Sequence, residues 1–194
     1  MGEWAESVAE VAGGLGFDNA RVVGGHSGSC VAAELAIHFP SLVASVVLDG
    51  CPLLTPQLRA TFKAMQQAVR PAPDPSGAHE SLVFRTVRTT YEHYLPGFQV
   101  TADTLETLWP AMIDYLETDF VSSAPISAEY DLESRILAIR QPLTVLTADT
   151  DTLVGTFECV GALRPDARRY RFAGHHPLHE PARAAEYAAL IDPL

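Results

Sequence analysis

The run Val22-Val23-Gly24-Gly25-His26-Ser27-Gly28-Ser29 decides how the rest of the chain is read. Arg21-Val22-Val23 begins a short buried strand, and Gly24 to Ser29 is a tight turn. A helix from about Cys30 to His38 follows. It stops ahead of Pro40, because the residue before a proline is pushed out of helical backbone. Val43 to Leu48 is nearly all apolar, the pattern of a strand covered on both faces. Residues 21–49 therefore read as one right-handed, parallel βαβ unit.

Working outward, Trp4, Val8, Val11 and Leu15 fall on one face of an upstream helix that Gly16 ends. Downstream, from Pro52 to about Ile139, the pattern gives helices and no convincing strand. Leu58, Phe62, Met65 and Val69 make one stripe; Val83, Val87, Tyr91 and Tyr94 a second; Leu105, Leu108, Met112 and Leu116 a third. Pro71 to Gly77 is a loop, and Pro110 kinks the third helix. An amphipathic helical stretch set between strands reads as a lid. The parallel pattern then resumes, with a short helix over Asp131 to Ile139 and a strand over Pro142 to Leu146. A helix over Val154 to Leu163, a strand over Arg169 to Phe172 and a last helix over Pro181 to Ile191 complete it. The expected fold is α/β: a parallel sheet of about four strands flanked by helices, with an inserted helical lid. Its parts are residues 1–52 and 139–194 for the core and 53–138 for the lid.

Composition narrows the function. The chain has 194 residues, 47% of them hydrophobic and 19% charged, which suits one globular domain. Its formal charge of −11 shows no clustered cations, against nucleic-acid binding. No apolar stretch is long enough to span a bilayer, and the acidic N-terminus does not read as a signal peptide. Lys63 is the only lysine, which excludes a P-loop and the kinase motifs elsewhere in the chain. Cys30, Cys51 and Cys159 are odd in number and far apart. They read as reduced thiols in a cytoplasmic protein, not as a disulfide frame or metal site.

In open α/β sheets the chemistry lies beyond the carboxyl ends of the strands. Three such ends carry Ser27, Asp151 and His175, the residue types of a nucleophile, an orienting acid and a base. A serine hydroxyl needs an imidazole to take its proton and a carboxylate to fix the imidazole's tautomer. The stretch Val22 to Ser29 resembles the nucleophile elbow of the α/β-hydrolase family. Gln141 to Asp151 resembles that family's strand-plus-acid segment, and Ala173 to Pro181 its histidine loop. The resemblance implies Ser27 as nucleophile, Asp151 as acid, His175 as base and the Gly28 amide as an oxyanion donor. It implies hydrolysis of an ester, thioester, lactone or similar carbonyl in a small hydrophobic substrate, without metal or organic cofactor. Two departures stand out. The elbow has Ser29 where the family's pattern has its last glycine. The family also places several strands ahead of the elbow, so the chain reads as truncated, with a free sheet edge open to a second copy.

Other residues compete for these roles. Asp149 is a rival acid or a turn residue, and Asp49 also ends a strand. His176 and His179 rival His175, while His26 reads as structural. Cys30 and Cys51 read as buried small apolar groups, and Tyr91 and Tyr94 as core. Two rival classes remain. One is a non-catalytic binder of the same fold. The other is a dinucleotide-binding oxidoreductase, suggested by Gly24-x-x-x-Gly28-x-Cys30 with Asp49 ending the next strand, though the Tyr-x-x-x-Lys of that class has no counterpart.

Overall fold

The computed structural model describes residues 1–67, 73–94, 97–117 and 128–191. The chain divides into two compact units, residues 1–54 with 129–194, and residues 55–128.

The first unit is built on one parallel sheet with strands in sequence order: β1 (Ala20–Gly25), β2 (Val43–Asp49), β3 (Leu143–Ala148) and β4 (Arg168–Phe172). Its helices are α1 (Gly2–Gly14), α2 (Ser27–His38), α6 (Leu132–Ala138), α7 (Phe157–Leu163) and α8 (Ala184–Ile191). Helices α7 and α8 each follow a short 3-10 turn, Val154–Thr156 and Pro181–Arg183. The apolar run in β2 is explained by burial on both sides. Val46 and Leu48 join Cys30, Ala33, Leu35, Ile136, Val145 and Val160 on one face, and Val47 joins Leu146, Ala148, Phe172 and Tyr187 on the other. Asp131 opens α6 by accepting the Ser134 amide at 3.4 Å, and Leu132 and Ile136 carry the helix into the larger core.

Two elements are less covered than their sequence patterns suggest. The stripe on α1 does not face a core: Val8, Val11 and Leu15 are exposed, and Ala5 is the buried position. Periodicity reports that a helix has an apolar face, not that anything covers it. Likewise β1 is not a strand buried on both faces, since it ends the sheet and leaves Val23 43% exposed.

The second unit contains α3 (Pro56–Gln67), α4 (Ala78–Tyr94) and α5 (Ala102–Glu117). Val83, Val87, Leu108 and Met112 form its core, with Tyr91 packed on it. Leu105 and Leu116 of the expected third stripe are exposed, and Pro110 lies inside an unbroken α5. Val69 lies outside the described residues, as do the side chains of Phe62, Met65 and Tyr94. Among the described residues no helix is long and apolar enough to cross a membrane.

Candidate active site

Strand β1 runs through Gly25 and α2 starts at Ser27, so the turn between them is His26 alone. Its backbone stands at φ 47°, ψ −116°, a conformation that costs a non-glycine residue on the order of 1–3 kcal/mol. Three hydrogen bonds hold the turn. The His26 amide donates to the Asp49 carbonyl at 2.8 Å, the Ser29 amide donates to the His26 carbonyl at 2.9 Å, and the buried Ser29 hydroxyl donates to the Gly24 carbonyl at 2.8 Å. Gly24 passes so near Gly28 that a Cβ on it would lie 2.3 Å from the Gly28 carbonyl oxygen. Close-packed glycines thus flank position 26 two residues to either side. The sequence reading centred the turn on Ser27, flanked by Gly25 and Ser29. In the structure Ser27 is the exposed first residue of α2. The signal for the true centre was the Gly24-x-x-x-Gly28 spacing, read above as a mimic of a nucleotide-binding turn.

Asp151 follows β3 and is 8% exposed. Its Oδ2 lies 3.2 Å from His26 Nε2, and its Oδ1 accepts the Leu153 amide at 2.7 Å. Burial pushes this carboxyl upward, but the hydrogen bonds from His26 and Leu153 outweigh it and hold the group below its usual range. The same hydrogen bond raises the His26 imidazole above its ordinary value. Burial opposes the rise, and the negative charges of Asp151 and Asp49 add to it. An ionised Asp151 accepts the Nε2 proton and leaves the Nδ1 lone pair on a side chain that is 46% exposed. Gly50, at φ +57°, closes the corner beneath the pair: a Cβ there would lie 2.4 Å from His26 Cδ2 and 2.6 Å from Asp151 Oδ2. At the start of α2 the Ser27 and Gly28 amides have no carbonyl one turn back within the helix.

The histidine loop follows β4. Asp149 braces it, accepting Arg171 Nε at 2.6 Å and the Gly174 amide at 2.9 Å. That is the turn role, and it leaves the two other candidate acids, Asp151 and Asp49, each against an imidazole. The His175 carbonyl accepts an Arg183 Nη1–H at 2.7 Å, while its buried Nδ1 has no hydrogen-bond partner among the described residues. His176 is the loop's engaged ring, with Nε2 at 3.0 Å from Asp49 Oδ1. The His179 side chain lies outside the described residues. Of the expected set, Asp151 is paired, but with His26 rather than with His175. Sequence reasoning gave His26 only a structural part. Cys30 and Cys51 are buried in the core, where burial pushes the Cys30 thiol up to about 12 and the Cys51 thiol higher still.

No family model and no curated protein matches the chain by sequence. Solved structures do match. A hydrolase from Pseudomonas aeruginosa superposes with a TM-score of 0.67 at 19% identity, over 96% of this chain and 69% of that one. An esterase from a Rhodococcus species gives 0.66 at 22%, over 98% and 72%. An enol-lactonase from Burkholderia xenovorans gives 0.66 at 14%, over 97% and 70%.

Proposed function

On the α/β-hydrolase fold that this chain carries, we propose that it hydrolyses an ester, thioester, lactone or similar carbonyl bond in a small hydrophobic substrate. The His26–Asp151 pair supplies the base. The observation that carries this reading is an imidazole at the strained apex of the strand-to-helix turn, tied through Nε2 to a buried carboxylate. In this fold that apex is the position that presents the reacting group.

The chemistry follows from the tautomer. His26 Nδ1 takes a proton from water as the water oxygen attacks the carbonyl carbon. Asp151 stabilises the imidazolium through Nε2–H without itself taking the proton. The Ser27 and Gly28 amides hold the charge that develops on the carbonyl oxygen. Collapse of the tetrahedral adduct breaks the bond to the leaving group, which leaves with the proton from Nδ1. General-base catalysis of this kind contributes about 100- to 10,000-fold. The substrate class is the one the resemblance to the hydrolase family implies, and a cytoplasmic setting rests on three free cysteines, two of them buried. The test is turnover of short p-nitrophenyl esters. Wild-type protein exceeds His26→Asn, a substitution chosen because asparagine tolerates positive φ. Equal rates in two folded proteins reject the reading.

A second reading keeps the serine route, with Ser27 as nucleophile, His175 as base, Asp151 as acid and the Gly28 amide as donor. It is favoured by the buried Nδ1 of His175, which has no hydrogen-bond partner among the described residues and is the atom that would donate to the acid. A fluorophosphonate probe separates the two: adduct on Ser27, absent from Ser27→Ala, supports the serine route. An unlabelled protein without ester turnover favours the non-catalytic binder of the same fold.

A further inference from the structure

A second carboxylate–imidazole pair lies buried beside the first. Asp49, the last residue of β2, is 4% exposed and His176 is 7% exposed. The His176 Nε2 sits 3.0 Å from Asp49 Oδ1 and 2.9 Å from Oδ2. The Tyr187 hydroxyl of α8 donates to Asp49 Oδ2 at 2.8 Å. His176 Nδ1 accepts the Leu178 amide at 3.2 Å, which fixes the ring proton on Nε2. Phe172 and Tyr187 stand edge-on to the His176 ring at centroid distances of 5.2 and 5.3 Å. The same Asp49 gives its backbone carbonyl to the His26 amide at 2.8 Å. Its neighbour Gly50 is the corner under the His26 ring. One residue therefore touches the elbow apex, the loop that carries His175, and the last helix.

We infer that Asp49 is a positioning residue for the His26–Asp151 pair: its carbonyl seats the apex, and its carboxylate locks His176 and with it the His175 loop. The role assigned to the pair rests on the function proposed above; the contacts do not. Two negative charges, Asp151 after β3 at 3.2 Å and Asp49 at the end of β2, raise the His26 imidazole, and His176 acts in turn on Asp151.

The test is an NMR titration of the histidine rings in wild type, Asp49→Asn and Tyr187→Phe. His26 titrates at lower pH in Asp49→Asn than in wild type. It stays in place in Tyr187→Phe, which removes a hydrogen bond but no charge. Ester turnover in Asp49→Asn falls below that of wild type, because the apex and the His175 loop lose their common anchor. A folded Asp49→Asn whose His26 titration has not moved overturns the inference. Should that variant not fold, the wild-type ring decides. A slowly exchanging Nε2 proton on His176 at neutral pH supports the lock, and an Nδ1–H tautomer or fast exchange overturns it. Because the titration needs no substrate, a shift without any ester turnover supports Asp49's role and counts against hydrolysis alone.

Discussion

Gly50→Ala disturbs the site without replacing either partner of the pair. The backbone there stands at φ +57°, where an L-residue costs roughly 1–2 kcal/mol. The added Cβ would lie 2.4 Å from His26 Cδ2, 2.7 Å from His26 Nε2 and 2.6 Å from Asp151 Oδ2, where ordinary contact begins at 3.4 Å. The ring must retreat by about 1 Å, which carries the 3.2 Å hydrogen bond to Asp151 past bonding distance. Urea unfolding is expected to show a loss of about 1–3 kcal/mol, and ring NMR a His26 that titrates at lower pH, since its main raising contact is gone. Gly25→Ala is the control: beyond its two chain neighbours, no atom lies within 4 Å of its added Cβ. A folded Gly50→Ala within about 0.5 kcal/mol of wild type, its His26 titration unmoved, would refute the reasoning.

Three further outcomes are expected. Gly24→Ala, whose Cβ meets rigid backbone at 2.3 Å, loses about 3 kcal/mol or more or fails to fold, while Gly28→Ala, with open space, changes stability by less than about 0.5 kcal/mol; similar unfolding midpoints for the two would place the turn's centre elsewhere. Activity needs an unprotonated His26, whose titration is raised, so the rate climbs with pH through a midpoint above ~6.5 and Asp151→Asn moves that midpoint down. The same pair stabilises the fold most below the unfolded imidazole value and loses that share as pH rises through the folded one; Asp151 contributes above its unfolded value and loses its share as pH falls. Paired rate and unfolding profiles that do not differ between wild type and Asp151→Asn would contradict this. Buried Glu34 binds His38 at 2.9 Å, Arg135 at 3.1 Å and the Tyr130 hydroxyl, joining α2 to the start of α6. Glu34→Gln therefore costs about 1–3 kcal/mol by urea unfolding, and a loss under about 0.5 would show the cluster to be idle.

The sheet was legible because its signals are local. An apolar run such as Val43 to Leu48 has few alternatives to a strand covered on both sides, and each expected strand is present with ends moved by a residue or two. Asp151 was legible for the same reason, as a carboxylate just past a strand end. The turn was harder. Whether its apex is position 26 or 27 depends on one residue's dihedral angles, and a serine among glycines draws the eye by its chemistry. The backbone instead follows the near-contact of Gly24 with Gly28, which leaves its trace in glycine spacing. The Asp49–His176 pair joins residues 127 apart, and nothing local in either segment marks the other. The exposed stripe of α1 shows the converse limit, a strong pattern whose partner the pattern cannot supply.

The most direct test sets two adjacent substitutions side by side on one p-nitrophenyl ester, in proteins shown to be folded. His26→Asn is expected to lose about 100-fold or more of the wild-type rate, with Ser27→Ala remaining within a few fold. The reverse order, with Ser27→Ala inactive and His26→Asn near wild type, contradicts the assignment of the apex imidazole.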